Sequence, residues 1–401
     1  MATVLAMAQT LSPASVSPPA AALAPLGRTV SVFVLTAVLA SGQLYMVIPL
    51  LDAMAAGWGV PADGLTWLVT AFGAGYAAGF LLFGPLSDRY GRRRLLSYGL
   101  PIAAAATALV AASPDLGTAI ALRAVQGVAV ATFPPAAMAY LAERVEPRRR
   151  MVAITSVTSG FLAAAVLLQV AAQVLGGVLG WRGMFLASAL AFAVAAAAVR
   201  AVMLPDPARE ITGSFLSAYR AVPALLGRPA LLLRYAATVT VLASFVAVYT
   251  GLQVTGAAGT PEALLALRAG GLPSMILVPL LTPWLVKIPA LPRAAGALIL
   301  CALTLVAVGV TTPGATGLAL LLAVYVAGIS AGGPALNESV ARLAGESRGT
   351  ALALFTFALF LGGSVGPQIA TLLGDFRTLL YGLAALLAVG AAGILASSRG
   401  R

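Results

Sequence analysis

Histidine is absent from the 401 residues, and cysteine occurs once, as Cys301. The first absence excludes a histidine-ligated metal site and a histidine proton relay. The second excludes an intrachain disulfide. Lysine also occurs once, as Lys287, so nearly all the positive charge is arginine. Charge of either sign is scarce: 9% of residues carry one, against about a quarter in soluble domains. No Asp or Glu lies at the middle of an apolar run. A membrane-embedded enzyme would need a concentrated set of His, Asp or Ser–Lys groups, so no catalytic residue and no metal ligand is assigned. No Gly-x-x-x-x-Gly-Lys-Ser/Thr loop occurs either. The chain therefore has no ATPase of its own, and no cofactor is expected.

What is abundant is apolar: 61% of residues. A soluble chain of this composition would expose large apolar patches and aggregate. Roughly 245 apolar residues suffice for about twelve membrane spans of about 20 residues each. A β-barrel is excluded because its strands alternate polar and apolar, whereas these runs are continuous. The spans lie at about 29–51, 65–84, 95–113, 117–141, 151–175, 183–204, 232–255, 269–286, 294–312, 315–337, 351–373 and 377–396. Helices are the default for such runs, because lipid offers the backbone no hydrogen-bond partner.

The net charge is +12. In a soluble domain this would suggest nucleic acid, but here the placement of charge reports topology. Apart from Arg123, Arg182, Arg268 and Arg377, the other 20 of the 24 basic residues fall in the termini and even-numbered loops. The positive-inside rule then puts both termini and every even loop in the cytoplasm. The expected fold is an all-α membrane protein of twelve transmembrane helices in two six-helix halves. Residues 1–27 read as a disordered cytoplasmic tail, 28–204 as the N-terminal half, 205–231 as a central cytoplasmic loop, and 232–401 as the C-terminal half. Two short matches support a repeat. Trp181-Arg182 and Phe376-Arg377 open the sixth and twelfth spans, and Arg150 to Ala153 and Arg348 to Ala351 open the fifth and eleventh.

After the second span comes Gly84-Pro85-Leu86-Ser87-Asp88-Arg89-Tyr90-Gly91-Arg92-Arg93-Arg94. Gly84 would let the helix end approach a neighbour closely. Gly91 would let a short loop turn back. Asp88 sits at a helix terminus, where it can pair with Arg89, Arg92 or Arg93 or face another helix's N-terminus. This segment resembles the signature loop of the major facilitator superfamily. Arg123-Ala124-Val125-Gln126-Gly127 resembles the Arg-x-x-Gln-Gly motif of that superfamily's proton-coupled members, especially its bacterial drug efflux branch. The resemblance covers about residues 28–400. It implies a secondary active transporter, working by alternating access, that exports small amphipathic molecules in exchange for protons. Transport of a neutral metabolite such as a sugar is the alternative. The implied location is the cell inner (cytoplasmic) membrane, and a monomer in the lipid bilayer is expected. The second-half counterpart of the signature loop, Thr282 to Arg293, keeps Lys287 and Arg293 but neither an acid nor a glycine.

In this superfamily the first, fourth, seventh and tenth helices line the cavity. The resemblance thus favours Gln43, Gln126, Tyr249 and Gln253 as substrate-lining residues. Gly75 and Gly79 are expected to form a sliding face toward Gly362, Gly363 and Gly366 of the eleventh span. Arg123 is the one basic residue well inside a span, and such charges are functional by default. Asp52, at the end of the first span, is the candidate proton acceptor, with Arg123 expected to set its affinity. Glu338 is the next candidate.

Overall fold

The computed structural model describes residues 23–61, 64–206 and 219–399. Most of the expected tail and the stretch 207–218 of the expected central loop lie outside the described residues. Every regular element among them is helical. The first part of the chain forms α1 (Leu26–Met46), α2 (Leu51–Trp58), α3 (Trp67–Tyr90), α4 (Arg92–Ala111), α5 (Leu116–Val130), α6 (Phe133–Arg144) and α7 (Pro147–Val202). The second part forms α8 (Val222–Leu226), α9 (Pro229–Val254), α10 (Pro261–Ala269), α11 (Leu272–Leu285), α12 (Ala290–Thr311), α13 (Ala315–Leu343), α14 (Arg348–Leu373) and α15 (Phe376–Arg399).

Among the described residues, ten helices are long and apolar enough to cross a membrane, counting α5 and α6 together. The expected twelve spans differ from these ten at identifiable breaks. The expected fifth and sixth spans run on as α7, interrupted only at Gly180, whose backbone leaves the helical region (φ 67°, ψ 170°). The expected eighth span, 269–286, is the 14-residue α11, too short to count among the ten, and Gly270-Gly271 separate it from the preceding α10. Pro134 and Pro135 follow the break between α5 and α6, where missing N–H groups cannot extend the preceding helix. Pro49 similarly interrupts the first span with a 3₁₀ turn, after which α2 carries the chain on to Trp58. Asp52 therefore stands in the first turn of a further helix, not at the end of the first span.

Within the first part, α1 and α4 pack on α7, and α3 packs on α5. Within the second, α9 packs on α14 and α15, and α12 on α13 and α15. The two parts meet chiefly along α3 and α14, with α10 and α11 also touching α7.

Small residues decide how closely these helices approach. A Cβ on Gly75 would lie 2.2 Å from the Ala124 carbonyl oxygen, and one on Gly127 2.2 Å from that of Phe72. The backbones of α3 and α5 touch there, as small residues permit in lipid, where dispersion replaces the hydrophobic effect. Gly362 and Gly366 play the same part between α14 and α9, against Val239 and Ala243. This corrects the expected sliding face. Gly75 and Gly79 look at α5, and Gly362 and Gly366 at α9, so these four serve packing within one part; Gly363 alone of the expected five looks across, where a Cβ would meet Leu44 of α1 at 3.4 Å. The α3–α14 seam is made instead by Gly73 against Ser364, by Tyr76 and Phe80 around Phe360, and by Thr70 donating to the Ser364 carbonyl at 2.6 Å.

Candidate functional site: three polar centres along an apolar bundle

The first centre lies at the arginine-rich end. Gly91 separates α3 from α4 with φ 97°, a conformation glycine adopts at no steric cost. Its missing side chain leaves room for Asp206, whose carboxylate a Cβ would meet at 2.4 Å. Asp206 accepts the backbone N–H groups of Arg93 at 3.0 Å and Arg94 at 2.9 Å. A carboxylate there satisfies orphan donors at the α4 N-terminus and complements the helix dipole. Neighbouring bonds fix Asp206 in place. Leu204 donates its N–H to the Tyr140 hydroxyl at 2.9 Å, and Arg144 donates to the Pro205 carbonyl at 3.1 Å.

Arg92 is buried and holds three partners. It pairs with Asp88 one turn away, donates to Ser87 Oγ at 2.9 Å, and donates to Glu143 of α6 at 2.9 Å. The Asp88 side chain itself is 69% exposed. Arg93 reaches the Arg200 carbonyl at 3.0 Å, and Arg89 lies over the Tyr90 ring. The close approach expected at Gly84 is not made: a Cβ there meets nothing within 4 Å. The second-half loop, which has no acid of its own, takes one from elsewhere. Arg293 pairs with Glu338 of α13, which also binds Arg342. Each part of the chain thus ties an arginine to a glutamate near the end of another helix.

The second centre is buried at mid-bundle. Arg123 on α5 has no exposed surface. Its Nη1 donates to Gln126 Oε1 at 2.7 Å, its Nη2 to the Gln43 carbonyl at 2.9 Å, and its Nε to the Leu68 carbonyl at 3.1 Å. The guanidinium also lies 4.3 Å from the Phe72 ring centroid, a cation–π distance. Gln126 then donates to Gln43 Oε1 at 3.1 Å and to Thr107 Oγ1 at 2.9 Å. The structure therefore joins Gln43 and Gln126 to each other, both without exposed surface, and adds Thr107. It does not join Arg123 to Asp52; the bonds of Arg123 go to Gln126 and two backbone carbonyls.

The third centre, at the end opposite the arginines, contains Asp52. Gln253 of α9 donates to Asp52 Oδ2 at 2.8 Å and accepts from Arg268 Nη2 at 2.9 Å. Arg268 of α10 also donates to Gln173 of α7 and has no exposed surface. Tyr249, one turn before Gln253, is buried with its hydroxyl unbonded. It belongs to an aromatic set that joins α1, α9 and α13. Tyr45 meets Phe245 edge-on at 6.0 Å, Phe245 meets Tyr249 at 5.0 Å, and Tyr325 donates to Ser244 at 2.9 Å.

Sequence reasoning passed over Asp206, Glu143, Gln173 and Arg268 as site residues. Arg268 had a visible signal, since it is one of four basic residues outside the arginine-rich loops. Asp206 offered only a weak one, an acid after Pro205 facing a basic loop. Among the described residues no group of His, Cys, Asp or Glu is arranged to hold a metal ion.

Comparison with known proteins gives the same picture. The profile of the Major Facilitator Superfamily matches residues 33–367. A protein named a probable transporter in Streptomyces coelicolor is 28% identical over 226 residues, covering 54% of this chain and 52% of that protein. The methylenomycin A resistance protein of Bacillus subtilis is 31% identical over 128 residues, covering 31% of this chain and 27% of its own length. The chain thus spans about half the length, or less, of the curated relatives it matches. The crystal structure of a D-xylose-proton symporter superposes with a TM-score of 0.71 at 16% identity, over 92% of this chain and 96% of that one, and so shares the fold. The family is one of transporters, not enzymes, and with the ten apolar helices it makes the chain a multi-pass protein of the cytoplasmic membrane. The chain belongs to the Major Facilitator Superfamily of membrane transporters.

Proposed function

We propose that the protein exports small amphipathic molecules across the cytoplasmic membrane in exchange for protons. The observation that carries this reading is the neutral aromatic set of Tyr45, Phe245, Tyr249 and Tyr325, contributed by both parts of the chain where they meet. These side chains are buried here, and where the two parts separate they would offer a surface that suits an apolar body with one polar handle. A phosphate or dicarboxylate would call for several converging cations. The methylenomycin A resistance relative supports the same direction of transport.

In this reading the chain crosses the membrane twelve times: the ten long helices, a second crossing within α7 divided from the first at Gly180, and α11 with the residues that flank it over about 269–286. Both termini are cytoplasmic, residues 28–204 and 232–401 form the halves, and the arginine-rich end faces inward. Gly84, Asp88, Arg89, Gly91, Arg92 and Arg93 form the cytoplasmic gate. Gln43, Gln126, Tyr249 and Gln253 line the route of the substrate. Asp52 takes the proton, with Gln253 as its direct partner. Arg123 organises the middle of the bundle. The monomer is the working unit. The test is uptake by protein-containing liposomes under an imposed pH gradient, with a panel of dyes, drugs and sugars. Gradient-driven movement of amphipathic dyes is expected, and sugar movement indifferent to pH would contradict the proposal.

A further inference from the structure

The third polar centre crosses between the two parts of the chain twice. Asp52 and Gln173 precede the central loop, and Gln253 and Arg268 follow it. One crossing is the Gln253–Asp52 bond at 2.8 Å, and the other is the Arg268–Gln173 bond. The Arg268–Gln253 bond at 2.9 Å joins them into one chain of hydrogen bonds. The Gln253 amide is oriented by this chain, with its oxygen toward the cation and its nitrogen toward the carboxylate. Arg268 has no exposed surface, and a buried guanidinium is tolerated only while its donors are occupied. Here Nη1 is occupied by Gln173 of the opposite part of the chain and Nη2 by Gln253, while Nε is buried without a partner among the described residues, so the guanidinium is only partly compensated in this arrangement. Separation of the parts at this end would break both crossings and admit water to the guanidinium, which hydration then compensates. These are the properties of a closure that can be undone.

We infer that Arg268 is a gating residue, the latch that holds the non-cytoplasmic end shut. It bonds Gln173 of the opposite half directly, and reaches Asp52 of that half through Gln253. The latch adds to the seam bonds at the same end, Thr70 to Ser364 and Gln368 to Thr70 at 3.1 Å. It rests on rocking of the halves about a central site, the general mode of such folds. It requires neither the proposed substrate nor the proposed proton, so failure of that reading leaves it standing.

The test places spin labels on the full chain in lipid nanodiscs, through Ala112→Cys between α4 and α5 and Thr316→Cys in the first turn of α13. Both positions are exposed, and the native Cys301 is buried. Pulsed electron resonance then reads the distance distribution across this end. Arg268→Gln removes two charge-assisted hydrogen bonds, and loss of the one that crosses between the parts should raise the ratio of open to closed populations about tenfold. Arg268→Lys, which keeps the charge and one donor direction, should shift it less. Gln173→Ala should produce the same opening with Arg268 in place, and it serves if Arg268→Gln does not fold. A folded Arg268→Gln or Gln173→Ala protein with the parent's distance distribution would overturn the inference. A simple strut within one half would lower thermal stability without moving that distribution.

Discussion

Gln126 donates to the side chain of Gln43 at 3.1 Å, joining α5 to α1 across 83 residues of sequence. Arg123 holds the Gln126 carbonyl oxygen, so the amide nitrogen is left to face Gln43 and Thr107. Replacing Gln126 by Leu would leave Arg123 Nη1 and Gln43 Oε1 buried without these partners. An unsatisfied buried polar group costs about 1–3 kcal/mol. Gln126→Leu should therefore lower the melting temperature in detergent measurably, whereas Thr107→Val, which removes two neutral bonds, one from Gln126 and one to the Ala103 carbonyl, and leaves Arg123 paired, should lower it less.

At the arginine-rich end, Asp88 pairs with Arg92 from a mostly exposed position, while Glu143 reaches the same guanidinium from α6. Removing the Asp88 charge takes one of three partners from the buried Arg92 guanidinium and should cost the closed gate up to about 1 kcal/mol, the range of a solvent-exposed ion pair. Asp88→Asn should slow transport strongly with unchanged expression and thermal stability. Full turnover by a well-expressed Asp88→Asn protein would remove Asp88 from the gate.

The glycines separate into two groups that a stability measurement can tell apart. A Cβ on Gly127 collides with the Phe72 carbonyl oxygen, which is backbone and cannot rotate away. Gly127→Ala should force α3 and α5 apart and cost at least about 1–3 kcal/mol, as overpacking does. Gly84→Ala meets open space and should leave the melting temperature unchanged.

Asp115 and Asp375 cap α5 and α15, each accepting the N–H and hydroxyl of the threonine three residues on. The bonds to Thr118 and Thr378 hold both carboxyls below the usual aspartate range. A depressed folded-state pKa contributes stability above the unfolded value that is lost as pH falls through the folded one. Asp115→Asn with Asp375→Asn should therefore lower the melting temperature at neutral pH. The difference from the parent should shrink as the pH falls below the ordinary aspartate range. A difference that stays constant with pH would contradict the capping account.

Much of this architecture was legible in the sequence because lipid imposes coarse rules. Long apolar runs must be helices. The Arg123–Gln126 pair was legible from a three-residue spacing. The partners of Asp52 and of Gly75 were not, because both depend on which helices touch, and an apolar helix offers several equivalent faces. Gly75 on α3 could have met α14 or α5, and only the assembled bundle decides for α5. Asp206 was illegible for a related reason: its role lies in backbone N–H groups 112 residues away, and these carry no side-chain signature. The breaks at Pro49 and Gly180 were present as residue types, but a proline or glycine within a membrane helix is common enough to pass unread.

The most direct measurement is dye movement in liposomes containing the purified protein under an imposed pH gradient. The account predicts that an amphipathic dye accumulates against its own gradient when the proton gradient runs opposite to it. It further predicts that Asp52→Asn abolishes this accumulation while downhill exchange continues. Dye movement that ignores the pH gradient in the parent protein would contradict proton-driven export.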